Sequence, residues 1–171
     1  MRTKSYIIVI LIALSLFFSN AKAQDFDQAI GVKAGISPGI CYKYFTKPEI
    51  SFEALATFSG GGMQTTILNQ YHHPVFTSLT KQLFFYYGYG AQIGYRLWSN
   101  DKYLINGEFY RRREFSFGLG VAGNLGFEYH VLKYPIIFCF DYKPYAEINT
   151  PLYYRQNLYD FTISIMFTFS K

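Results

Sequence analysis

The stretch Phe161-Thr-Ile-Ser-Ile-Met-Phe-Thr-Phe169 decides the fold. Phe161, Ile163, Ile165, Phe167 and Phe169 share one face of an extended chain, and Thr162, Ser164, Met166 and Thr168 share the other. Successive Cβ atoms of a strand point to opposite sides of the pleat, so a period of two this strict predicts a β-strand. The bulky face is unbroken and the opposite face is small. That combination suits a lipid-facing band backed by a narrow interior.

The same alternation recurs upstream. In 136–145, Ile136, Phe138, Phe140 and Tyr142 oppose Cys139, Asp141 and Lys143. In 115–131, Phe117, Leu119, Val121, Leu125, Phe127 and Tyr129 oppose Gly118, Gly120, Ala122, Asn124, Gly126 and Glu128. In 82–98, Leu83, Phe85, Tyr87, Tyr89, Ile93 and Tyr95 oppose Gly88, Gly90, Gln92, Gly94 and Arg96. Lys33, Lys43 and Glu53 take the less apolar face of 28–36, 40–45 and 50–58. With 63–72, eight strand-like segments result, separated by turn residues such as Ser37-Pro38-Gly39 and Lys133-Tyr134-Pro135. The longest links expected are Ser99 to Glu114 and Ala146 to Asp160.

The expected fold is all-β, an eight-stranded antiparallel up-and-down transmembrane barrel with its termini on the periplasmic side. A barrel of eight strands holds one layer of side chains, which cannot include roughly forty large apolar groups, so the bulky face must point outward. The charges then point inward and need partners, because a lone buried charge costs several kcal/mol. Lys33, Lys43, Glu53 and Glu128 are expected in the lower half, and Arg96, Asp141 and Lys143 higher up. Read this way, the seven form a structural network in a filled interior rather than an ion path.

Aromatic residues make up 21% of the 171-residue chain and charged residues only 16%, a balance foreign to soluble domains. Residues 1–23 read as a cleaved signal peptide: Arg2 and Lys4, an apolar run from Tyr6 to Phe18, then Ala21-Lys22-Ala23. The apolar run is short for a transmembrane helix. The domain expected after cleavage is 24–171. There, 13 basic residues face 11 acidic ones, so the charge gives no reason to expect a nucleic-acid partner.

The segments Ala29 to Phe45, Tyr86 to Tyr95, Leu125 to Tyr129 and Asp141 to Pro144 resemble small outer-membrane β-barrel proteins of the Bacteroidetes type, in the OmpA/OmpX-like group. The resemblance covers nearly all of 24–171. It implies the barrel fold and an outer-membrane location, and it brings no catalytic residues and no cofactor. Such barrels often end on an aromatic residue read by the insertion machinery, whereas here Ser170-Lys171 follow Phe169.

Other motifs have plainer readings. Gly118-Leu-Gly-Val-Ala-Gly123 matches a dinucleotide fingerprint, but alternating strand follows it where a helix is required. His72 and His73 fall on opposite faces and cannot easily share a metal ion, and no metal site is expected. Cys41 and Cys139 lie three strands apart, too far for a disulfide. Arg111, Arg112 and Arg113 could meet lipopolysaccharide phosphates, for which a guanidinium's forked donors are suited.

The function expected is a non-enzymatic outer-membrane barrel that contacts lipids and acts through its external links. A lipid A-modifying enzyme is the alternative from another class, but no Ser or Asp pairs by position with the histidines, which fall at the opposite rim. A narrow transport barrel for small apolar molecules is the third reading.

Overall fold

A computed structural model describes residues 27–59, 61–78, 80–105, 108–131, 133–150 and 153–170, without the side chains of 59, 98–105, 108–114 and 153. The expected signal peptide lies outside these residues. None of them is helical. Ten strand segments follow in order: β1 (Gln28–Gly35), β2 (Gly39–Lys47), β3 (Ile50–Ser59), β4 (Gly62–Pro74), β5 (Leu83–Ile105), β6 (Glu108–Val131), β7 (Ile136–Tyr142), β8 (Tyr145–Asn149), β9 (Tyr153–Asn157) and β10 (Phe161–Phe169).

Each strand pairs antiparallel with its neighbours, β5 pairs with β6, and β1 pairs with β10, which closes the sheet on itself. The ten segments make eight staves. β7 and β8 both run along β6 in one register, from Val131↔Ile136 to Gly118↔Asn149, interrupted only at Lys143-Pro144. Pro144 has no N–H to give, yet its carbonyl still accepts from Gly123 N at 2.9 Å. β9 and β10 form the eighth stave. This is the expected eight-stranded antiparallel barrel.

Sidedness follows the parity. Among the described residues, 34 large apolar side chains are exposed, while the buried ones comprise 23 polar or charged and 11 apolar residues. That is the inverse of a soluble domain, whose buried residues are mostly apolar. β10 alternates exposed and buried at every position from Phe161 to Phe169.

The two expected long links are largely strand, which corrects their boundaries. β5 and β6 stay paired far beyond the other staves, out to Ile105↔Glu108, so 99–105 and 108–114 form a two-stranded ribbon. β8 and β9 pair from Tyr145↔Asn157 to Asn149↔Tyr153 within the second. A projecting ribbon needs no apolar face, so it lacks the alternation by which the barrel strands are read. Its backbone groups pair with each other all the same.

Between Tyr142↔Phe161 and Tyr145↔Asn157, the three residues Leu158-Tyr159-Asp160 face the two residues Lys143-Pro144. The extra residue is a β-bulge. Leu158 and Tyr159 are consecutive and both exposed, and Asp160 turns fully inward.

Candidate functional site

The lumen is the site, because the inward face carries the chemistry and the outward face is apolar. All seven charges expected inside are buried: Lys33, Lys43, Glu53, Arg96, Glu128, Asp141 and Lys143. Their grouping differs from the expectation in one respect. Asp141 does not belong with Arg96 and Lys143, because strand tilt brings it to Lys33. Lys33 Nζ lies 2.9 Å from Asp141 Oδ2 and 3.2 Å from Glu53 Oε1.

Asp141 is the most heavily bonded of these groups. Besides Lys33 it accepts from the Tyr86 hydroxyl, from Asn124 Nδ2 at 3.4 Å and from Ser164 Oγ at 3.4 Å. Tyr86 fits inside because its cross-strand partner is Gly126, where a Cβ would stand 2.5 Å from the ring. A tyrosine lying over a glycine is a recurrent way to fill a narrow barrel.

A second group gathers at the end of the lumen that carries the chain termini. Lys43 Nζ lies 3.1 Å from Glu128 Oε2 and 4.5 Å from the centre of the Tyr86 ring. Glu128 Oε1 also meets His72 Nδ1 at 3.0 Å and His130 Nε2 at 2.8 Å. His72 is buried while His73 is exposed, as their opposite parity requires.

Towards the ribbon end, two carboxylates appear that the sequence reading placed in a link. Glu147 Oε1 forms an ion pair with Arg96, 3.2 Å from its Nη1, and lies 3.6 Å from Arg155 Nη1. Its Oε2 accepts from Gln92 at 2.9 Å and Gln64 at 3.2 Å. A Cβ at Gly120 would stand 2.8 Å from Glu147 Cβ, so the fingerprint-like glycines of β6 make room for this stave. Asp160 Oδ2 lies 3.6 Å from Lys143 Nζ. Extending the inward parity of 137, 139, 141, 143 and 145 by two residues would have found Glu147. Asp160 carries the same signal from the other end of the link, since it continues the inward parity of 162, 164, 166 and 168 by two residues. The bulge changes parity only between Asp160 and β9.

With these additions, five basic residues (Lys33, Lys43, Arg96, Lys143, Arg155) meet five acidic ones (Glu53, Glu128, Asp141, Glu147, Asp160) among the described ion pairs. Apolar side chains are buried alongside them: Leu55, Leu68, Ile137 and Met166 are each exposed by 1% or less. Cys41 and Cys139 are both free and buried, and Cys139 Sγ lies 4.0 Å from Met166 Sδ.

One juxtaposition overturns the expectation that no serine pairs with the histidines. Ser51 Oγ lies 2.7 Å from His72 Nε2, whose Nδ1 faces Glu128. Serine, histidine and carboxylate in that order are the parts of an activated nucleophile. Each is exposed by 1% or less, so no substrate reaches Ser51 in this conformation.

Arg111, Arg112 and Arg113 have their backbone on the β6 arm of the ribbon, with Arg112 opposite Asn100 and Arg113 opposite Ser99. Their side chains lie outside the described residues.

No family model and no curated protein matches the chain. Among solved structures, the N-terminal β-barrel domain of Pseudomonas aeruginosa OprF superimposes with a TM-score of 0.49 at 13% identity, covering 85% of this chain and all of that one.

Proposed function

We propose that this protein is an integral outer-membrane β-barrel with no catalytic role, a scaffold that holds two ribbons at the cell surface. The observation that carries the reading is the inverted barrel. Every stave turns large apolar side chains outward, around a lumen whose described charges stand in opposite-sign pairs. Exposure on this scale is unfavourable in water, where apolar area costs about 25 cal/mol per Å², and it costs nothing in hydrocarbon.

Aromatic rings at both ends of the apolar band support the membrane reading. Near the termini, Tyr71, His73, Phe85, Tyr87 and Phe127 form ring contacts with centroids 5.4 to 6.5 Å apart. Towards the ribbons, Tyr95 stacks on Phe115 and Phe161 packs on Phe140 and Tyr142. Two aromatic girdles at the headgroup levels are typical of outer-membrane barrels. Gel mobility of the outer-membrane fraction, boiled against unboiled, tests the reading. A heat-dependent shift is expected. A protein found in the soluble periplasmic fraction, with no shift, overturns it.

The surface role belongs to the ribbons. Arg111, Arg112 and Arg113 lie well beyond the barrel body, where they would meet lipopolysaccharide phosphates by charge-assisted hydrogen bonds. Replacing all three with Ala should weaken binding to immobilised lipopolysaccharide by about tenfold, a loss near 1.4 kcal/mol. The heat-dependent shift should stay unchanged. Equal affinity for both proteins would leave the ribbon without this role.

A further inference from the structure

We propose that the link 74–82 is a membrane-surface anchor: Phe76 sits in the headgroup region of the leaflet at the termini end, with Lys81 and Lys133 against its lipid phosphates. The anchor rests on the membrane reading above and adds a contact that the barrel wall does not supply.

Phe76 has a φ of 54°, the one non-glycine residue at positive φ among those described. A bulky side chain there is strained, because its Cβ crowds the following carbonyl oxygen. A link that had only to turn would place Gly or Asn at such a position. The chain does so elsewhere, with Gly61 at a φ of 78° between β3 and β4. A phenylalanine kept in this conformation points to a use for the ring.

The strain is held by a hydrogen-bonded loop. Val75 N donates to Leu83 O at 3.0 Å, just past the last β4–β5 pair, Pro74↔Phe84. Thr80 N donates to Phe76 O at 2.9 Å, and Gln82 N donates to Thr80 Oγ1 at 3.1 Å. The backbone is fixed, yet the ring it carries is 64% exposed. That exposure is unfavourable in water and is relieved at a lipid interface.

The surroundings suit headgroups. His130 N donates to Gln82 O at 2.9 Å, so the end of the link runs beside the β6–β7 turn. Each of the two segments carries one exposed ring and one exposed lysine: Phe76 and Lys81 in the link, Tyr134 and Lys133 in the turn. Lys81 lies two residues beyond Leu83, where β5 begins, and the ring contacts of Phe85 and Tyr87 lie just inside it. The acidic Glu49 is on the other flank of β4, where its carbonyl accepts from His72 N. Aromatic rings beside ammonium groups seat at the boundary between acyl chains and phosphates. Lysines near an anionic lipid surface add an attraction that salt screens.

An introduced tryptophan reads the contact. In a Trp98→Phe background, which removes the chain's one tryptophan, Phe76→Trp should emit in the blue in vesicles of phosphatidylcholine and phosphatidylglycerol. Lipids brominated near the headgroup should quench it, and acrylamide should not. Red emission quenched by acrylamide overturns the anchor; a ring that faces the periplasm or serves a protein partner would give that result. Phe76→Asn is the second test, because Asn tolerates the left-handed region. For a ring in water, relief of strain would raise the denaturant midpoint or leave it unchanged, whereas loss of an anchoring ring should lower it in vesicles. A midpoint that does not fall refutes the proposal. Adding phosphatidylglycerol to phosphatidylcholine vesicles should raise the midpoint of the wild type more than that of Lys81→Gln/Lys133→Gln, and an equal rise counts against it. The heat-dependent gel shift separates the two readings. A wild type without the shift fails as a membrane barrel, whereas a shifted barrel whose introduced tryptophan is open to acrylamide fails only as an anchor.

Discussion

Glu128→Ala is expected to destabilise the barrel by about 3–5 kcal/mol, the cost of removing one partner of a buried ion pair. Glu128 is the described ion-pair partner of Lys43, whose side chain is wholly buried, and it also holds His72 and His130. Removing the carboxylate leaves the ammonium with the Tyr86 ring as its nearest compensation, and a cation–π contact is worth only about 2 kcal/mol even when desolvated. The double variant Lys43→Met/Glu128→Leu should recover much of the loss, because apolar groups of similar volume need no partner. The measurement is the denaturant midpoint of the heat-resistant form in lipid vesicles. A Glu128→Ala barrel as stable as wild type, or a double variant no better than the single one, would show that the lumen charges do not act as pairs.

Ile165→Arg is expected to destabilise the membrane-inserted barrel by about 2–4 kcal/mol, the range for a cation placed on the lipid face near the bilayer midplane. Ile165 is the central residue of β10, exposed, and flanked in register by Val32 and Phe138. The sign of the effect discriminates. On a soluble barrel an exposed Ile→Arg change is close to neutral, since surface substitutions usually lie within about ±0.5 kcal/mol. Ile165→Leu is the control and should leave the midpoint in vesicles unchanged. If Ile165→Arg also left it unchanged, the outward band would not face lipid.

The seven inner charges were legible because each sits on a strand with clear alternation, where one inward neighbour fixes the rest. Glu147 was missed for a small reason: the seventh strand was ended at Tyr145, short of two residues that keep its parity. Asp160 was missed for the same reason at the other end of the link, since the last strand was begun at Phe161, although Asp160 keeps the inward parity of Thr162, Ser164, Met166 and Thr168. What the bulge hides is the parity of β9. The ribbon of 99–105 and 108–114 reads as a loop because its sequence does not alternate apolar and polar residues, and backbone pairing alone leaves no such mark.

What the sequence determined by itself is sidedness. A period of two is a property of covalent geometry, so each residue's face follows from its neighbours within a few positions. Counting bulky groups against the room in an eight-stranded barrel then decides which face is outside. What only the tertiary structure decided is partnership. Lys33 and Asp141 are 108 residues apart, and Lys43 and Glu128 are 85 apart. Their meeting depends on how register and tilt accumulate around the closed sheet, which no local pattern encodes. The Ser51–His72–Glu128 chain is of the same kind: three strands each supply one group, and closure of the barrel brings them within hydrogen-bonding distance.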